Sequence, residues 1–123
     1  MPILEVEIVL RPGEILAGRL AAEVAERAGE VFASPARGTW VKVRTLPGEN
    51  YAENGAGLPG DIFPVFVTVL KARRPVPEQM QAEVARLAQA IAQACGRPVE
   101  NVHILYLPEA AGRLAFGGRL VTG

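Results

Sequence analysis

Hydrophobic and polar positions alternate from the first residues of the chain. Leu4, Val6, Ile8 and Leu10 interleave with Glu5, Glu7 and Val9, a period of two that predicts a strand over residues 1–10. Arg11-Pro12-Gly13 reads as a turn. From about residue 14 to 33 the period changes: Leu16, Leu20, Val24, Ala28 and Val31 return every three or four positions, with Ala17, Ala21, Ala25 and Phe32 widening the stripe. That is an amphipathic helix, and Arg19, Glu23, Glu26 and Arg27 cover much of its other side. Ser34-Pro35-Ala36-Arg37-Gly38 ends it. Residues 39–46 alternate again, Val41, Val43 and Thr45 against Trp40, Lys42 and Arg44. After a Gly-, Asn- and Pro-rich loop over 48–61, residues 62–72 are dense in Val and Phe and read as a strand buried on both faces, with Pro64 weakening pairing at its start. Pro77 is placed as the first residue of a second helix, whose stripe is Met80, Val84, Leu87, Ala88, Ile91 and Cys95. Gly96 follows as its αL stop. Residues 101–107 form a fourth strand. The remainder, from Pro108, is a Gly-punctuated tail with one short apolar piece, Leu114-Ala115-Phe116.

The two halves resemble each other at an offset of about 60 residues. Arg11-Pro12 answers Arg74-Pro75, Ala22-Glu23-Val24-Ala25 answers Ala82-Glu83-Val84-Ala85, and Leu46-Pro47 answers Leu107-Pro108. The expected architecture is a tandem β-α-β repeat in the α/β (α+β) class, a single domain over 1–123 built of pseudo-repeats about 2–61 and 62–123. Each β-α-β unit carries a parallel strand pair, and the two together make a four-stranded sheet with both helices on one face. The other face then needs a cover, and a second copy of the chain is the natural one.

Composition narrows the classes. The 123 residues hold 13 Lys+Arg against 13 Asp+Glu, so there is no global basic field for nucleic acid. One cysteine, Cys95, excludes an internal disulfide and reads as core. One histidine, His103, excludes multi-His metal motifs. No stretch approaches a membrane span, and residues 1–10 lack the charged region and apolar core of a signal peptide, so a cytoplasmic protein is expected. The one unusual chemical group is at the start. Pro2 follows the initiator Met1, and a small residue there favours removal of the methionine. A free secondary amine would then stand at the end of a rigid strand, where the missing N–H of proline does no harm.

An N-terminal proline, a tandem β-α-β repeat of this length and the tail Gly112-Arg113-Leu114-Ala115-Phe116-Gly117-Gly118 together resemble the tautomerase superfamily: 4-oxalocrotonate tautomerase, macrophage migration inhibitory factor, malonate semialdehyde decarboxylase and the 3-chloroacrylic acid dehalogenases. The resemblance spans nearly the whole chain. It implies the MIF-like fold, a homotrimer with active sites near subunit boundaries, and Pro2 as catalytic base or acid. It also implies substrate-binding roles for Arg73 and Arg74, which stand where the decarboxylase and dehalogenase branch carries its arginines, and for Arg11, one residue out of register with an arginine of 4-oxalocrotonate tautomerase. His103 occupies the place of an arginine or tyrosine in those relatives. Phe116 stands in for a tail phenylalanine, whose own place is near Leu114, and Leu105 replaces an asparagine. No clear counterpart exists for the water-activating acid of the dehalogenases, although Glu109 lies close by. Trp40, Tyr51 and Tyr106 read as packing residues.

The expected activity is a cofactor-free keto–enol tautomerase, an isomerase of the intramolecular oxidoreductase type, acting on a small 2-keto or enol carboxylic acid. A proline amine whose protonated form is disfavoured by burial and nearby cations can move a proton next to a carbonyl. Neither metal nor cofactor is needed, and no nucleic acid or membrane partner is expected. The alternatives are a decarboxylase or hydratase of a short 3-substituted acid with Pro2 as acid, and a non-catalytic trimeric binding protein.

Overall fold

The computed structural model describes residues 2–55 and 62–122. Its order is β1 (Ile3–Val9), α1 (Leu20–Val31), β2 (Trp40–Leu46), β3 (Val65–Leu70), α2 (Pro77–Cys95), β4 (Val102–Tyr106), β5 (Ala115–Phe116) and β6 (Arg119–Leu120). The four long strands form one sheet in the order β2-β1-β3-β4. β1 runs parallel to β2 and β3 parallel to β4, while the central pair β1–β3 is antiparallel. The tandem repeat is therefore visible as two parallel β-α-β units joined back to back.

Both helices cover one sheet face. Leu4, Val6 and Ile8 of β1 and Val65, Val67 and Val69 of β3 meet Leu20, Val24 and Ala28 of α1 and Leu87 and Ile91 of α2 in one buried core. α1 packs on β2, α2 on β4, and the helices pack on each other. The alternation in β1 and β2 predicted this correctly. The expectation for β3 needs correction: it is not buried on both faces, for Phe66 is 38% exposed. The opposite face of the sheet is uncovered in a single chain. Register lays its side chains out in rows, Arg44–Glu7–Phe66–His103 and Lys42–Glu5–Thr68–Leu105.

α2 has the bounds expected, with Pro at its start and Gly96 at φ 66° past its end. α1 does not. It begins at Leu20, not near residue 14. Residues 14–17 are irregular and 18–19 a turn, because Glu14 is committed elsewhere: its carboxylate is gripped by Arg97 at 2.7 and 3.0 Å, and Gly18 is a poor helix former. Arg97 is a buried charge, its guanidinium donating also to the carbonyls of Val9 (2.8 Å) and Phe63 (2.9 Å). It joins the ends of β1 and α2 to the segment entering β3. At its other end α1 closes in a Schellman arrangement, Ser34 N–H to Gly29 O at 2.9 Å and Ala33 N–H to Glu30 O at 3.2 Å. Ala33 takes the αL position, at φ 51°.

The tail is more ordered than a Gly-punctuated coil. Gly117 and Gly118, at φ 57° and 87°, form the two-residue turn of a β5–β6 hairpin. Of the loop over 48–61, residues 56–61 lie outside the described residues, as does Met1.

Candidate functional site

Pro2 is buried at the N-terminal end of β1. Its carbonyl accepts the Trp40 N–H of β2 at 3.0 Å. Along β1–β3 the Val9 N–H bonds to the Pro64 carbonyl, so hydrogen-bonded pairs fall at odd positions of β1. Carried one step beyond the Ile3–Leu70 pair that ends the ladder, the register would set Pro2 opposite Lys71 at a non-hydrogen-bonded position, the kind that brings side chains closest. At that position a backbone N–H has no role in the β1–β3 ladder, which is why proline fits. Its nitrogen edge turns toward β2, as its carbonyl does.

Because β1 and β3 are antiparallel, the end of β1 that carries Pro2 is the end at which β3 and β4 finish. The chain after β3 carries Arg73 and Arg74 there, both exposed. Neither guanidinium has a hydrogen bond or ion pair among the described residues. Residues 110–111 run beside residues 71–72, through Ala110 N–H to Lys71 O at 3.0 Å and Ala111 N–H to Ala72 O at 3.2 Å. The Glu109 carboxylate accepts the Arg74 N–H at 2.7 Å, which fixes the backbone from which the two arginines project. Phe116 also comes to this end: its ring meets Trp40 edge-on at 4.9 Å, and Trp40 is the residue bonded to Pro2. Trp40, read from sequence as packing alone, thus joins the hairpin to the strand that holds Pro2.

Two expected site residues lie elsewhere in the chain. Arg11 is beyond the far end of β1, and the strand between it and Pro2, seven residues at ~3.3 Å each, alone spans roughly 20 Å. Arg11 bonds there to Glu14 (3.3 Å) and to the Gly96 carbonyl (3.4 Å). His103 sits on the uncovered face with its ring 5.6 Å from Phe66, level with Glu7 rather than with Pro2. A single chain thus assembles Pro2, Arg73, Arg74 and Phe116 at one end and leaves Arg11 and His103 apart from them.

Sequence reading passed over a charged group at the same end. Lys71 Nζ lies 2.9 Å from Glu83 Oε1 of α2 and 4.9 Å above the ring centre of Phe32, just past α1. Tyr106 donates its hydroxyl to Glu83 at 2.5 Å. Burial, and then the Glu83 carboxylate, push the Tyr106 phenol well above its ordinary range. The only available signal was a lysine at the core-facing register of β3, in step with Val65, Val67 and Val69. Cys95, its thiol pushed up to about 11 by burial, is core as expected. No group of His, Cys, Asp and Glu among the described residues could hold a metal ion, and no helix described is long and apolar enough to cross a membrane.

No family model and no curated relative matches the sequence. Solved structures do match the fold. The chain superposes on Pt0534 inactivated by 2-oxo-3-pentynoate with a TM-score of 0.73 at 19% identity, covering 96% of this chain and 95% of that one. Fused 4-OT, described as an asymmetric trimer, gives 0.73 at 17% identity, with 94% of each chain covered. The macrophage migration inhibitory factor of Trichinella spiralis gives 0.72 at 13% identity, covering 96% of this chain and 98% of that one. From end to end, the chain has the α+β fold of the 4-OT and macrophage migration inhibitory factor structures.

Proposed function

We propose that this protein is a cofactor-independent tautomerase of a small 2-keto or enol carboxylic acid, a member of the tautomerase superfamily in which loss of Met1 frees the amine of Pro2 as general base. The observation that carries the reading is a buried Pro2 at the same end of the sheet as two exposed arginines whose guanidinium groups have no partner among the described residues. Burial and neighbouring cations both disfavour a protonated amine, and a neutral amine can take a proton from carbon beside a carbonyl and return it elsewhere. Arg73 or Arg74 would grip the substrate carboxylate and oppose the charge that grows on the enolate oxygen. Phe116 and Trp40 supply an apolar wall. Arg11 and His103 would join such a site only from another copy of the chain, consistent with a homotrimer.

The hydratase alternative would require a carboxylate that orients and deprotonates water; the nearest candidate, Glu109, has one oxygen bonded to the Arg74 N–H, and a Glu109→Gln variant that abolishes hydration would favour that branch. The test is a panel on one preparation. Intact mass should show Met1 removed. Pro2→Ala should lower kcat/KM on an arylpyruvate or 2-hydroxydienoate by 10² or more. Arg73→Ala or Arg74→Ala should cost roughly 2–3 kcal/mol on acids and much less on neutral carbonyl analogues. Retained methionine, or a Pro2→Ala enzyme within a few fold of wild type, would sink the reading and favour a non-catalytic binding protein.

A further inference from the structure

We infer that Lys71 and Glu83 are positioning residues that set the basicity of the Pro2 amine, Lys71 lowering it and Glu83 restraining that effect. The inference rests on the reading of Pro2 as a free amine. It begins with register. The central antiparallel ladder ends at Ile3–Leu70; the same register extended by one step sets Pro2 opposite Lys71 at a non-hydrogen-bonded position, where Cβ atoms come within roughly 5 Å. Both side chains lie on the helix-covered face, in step with Leu4 and Val69.

The position of the ammonium follows from its two neighbours. Phe32 ends α1, which packs on β2, and Glu83 lies on α2, which packs on β4. A cation held both 4.9 Å over the Phe32 ring and 2.9 Å from Glu83 lies across the gap between the helices. The pair is not a solvated surface contact, since the Lys71 and Glu83 side chains are only 20% and 16% exposed, and charges so placed are weakly screened. Tyr106 holds the second carboxylate oxygen, which keeps Glu83 oriented toward Lys71.

Other charged groups at this end act differently. Glu109 and Arg113 are spent on backbone groups of the turn over 108–113 and its neighbour Arg74. Arg73, Arg74 and Arg37 are exposed and so more fully screened, and β2 contributes only Thr39 and Trp40. Among the charged groups at this end, the Lys71–Glu83 pair is the partly buried one. Loss of the cation should stabilise the protonated amine and raise its titration midpoint; loss of the anion should lower it.

The experiment is an ¹⁵N titration of proline-labelled protein, following Pro2 directly, with intact mass measured on the same sample. Lys71→Met should move the Pro2 midpoint up by about half a unit or more, and Glu83→Gln should move it down. Lys71→Arg should restore the wild-type value. The acid limb of kcat/KM should follow the same shifts. A merely structural pair would lower the melting temperature in both variants without moving the midpoint in opposite directions. If Pro2 titrates but the midpoint stays put in both variants, or moves the same way, the inference is overturned while the tautomerase reading stands. If the mass shows Met1 retained, both fall. Should Lys71→Met fail to fold, the sign of the Glu83→Gln shift decides alone: an unchanged or raised midpoint overturns the inference.

Discussion

Arg97 and Glu14 show how one residue pair can override the local preference of the chain around it. The arginine side chain is fully buried, and it survives burial because three carbonyls and a carboxylate take up its donors. The same contact, with help from the Arg11 backbone N–H, holds the Glu14 carboxyl down at about 2 against an ordinary 4.5. The folded state therefore binds this proton more weakly than the unfolded chain does. The stabilisation is complete above about pH 5 and is lost as pH falls toward 2. Glu14→Gln should accordingly show a flatter fall of melting temperature over that window than wild type. Glu14→Ala, which strands a buried guanidinium, should cost about 3 kcal/mol. Parallel acid melting curves for wild type and Glu14→Gln would mean that other carboxylates govern the transition.

At the scale of elements, the end of α1 matters most for the site, because the loop that follows delivers Thr39 and Trp40 to β1. Ala33 closes that helix with φ 51°, and Arg37 follows at φ 67°. A side chain in the left-handed region costs roughly 1 kcal/mol that glycine avoids. Ala33→Gly should therefore stabilise the protein by up to about 1 kcal/mol, read from denaturant midpoints at constant slope; a clear loss would show that the alanine methyl packs where the backbone angle alone suggests strain. Periodicity exposed the four strands, both helices and the repeat that pairs them. It misplaced the start of α1 because the stripe at Leu16 and Ala17 continues a helical pattern that the Glu14–Arg97 contact interrupts, and such a contact between residues 83 apart leaves no local trace. It also treated Gly117-Gly118 as loose tail, although two adjacent glycines between apolar residues are a hairpin signal. Pro2 stands out by its place after Met1, while Arg73, Arg74 and Phe116 are nominated by the resemblance to the tautomerase superfamily. That they share one end, and that Arg11 and His103 do not, depends on the antiparallel β1–β3 register, which no pattern in a single strand declares.

For the whole molecule, the uncovered sheet face is the feature a lone chain does not explain. It is apolar toward β4, with Leu105 61% exposed beside Phe66. Toward β2 it is charged, with Glu5 held between Lys42 at 2.9 Å and Arg44 at 3.8 Å. Apolar surface beside ordered ion pairs suits contact with another copy. Leu105→Glu should shift the sedimentation coefficient from trimer to monomer at micromolar chain concentration; a wild-type protein that already runs as a monomer would refute the trimer. The contact formed by Arg97 has a different consequence for the whole chain, one of timing. It gathers Val9, Glu14, Phe63 and Cys95, residues from both halves and up to 88 positions from Arg97 itself. Closing loops of that length is slow and entropically costly before the halves dock. We predict that the contact forms late, after the folding transition state: Arg97→Met should then raise the unfolding arm of a chevron and scarcely change the folding arm, whereas an equal slowing of folding would place the contact in the nucleus.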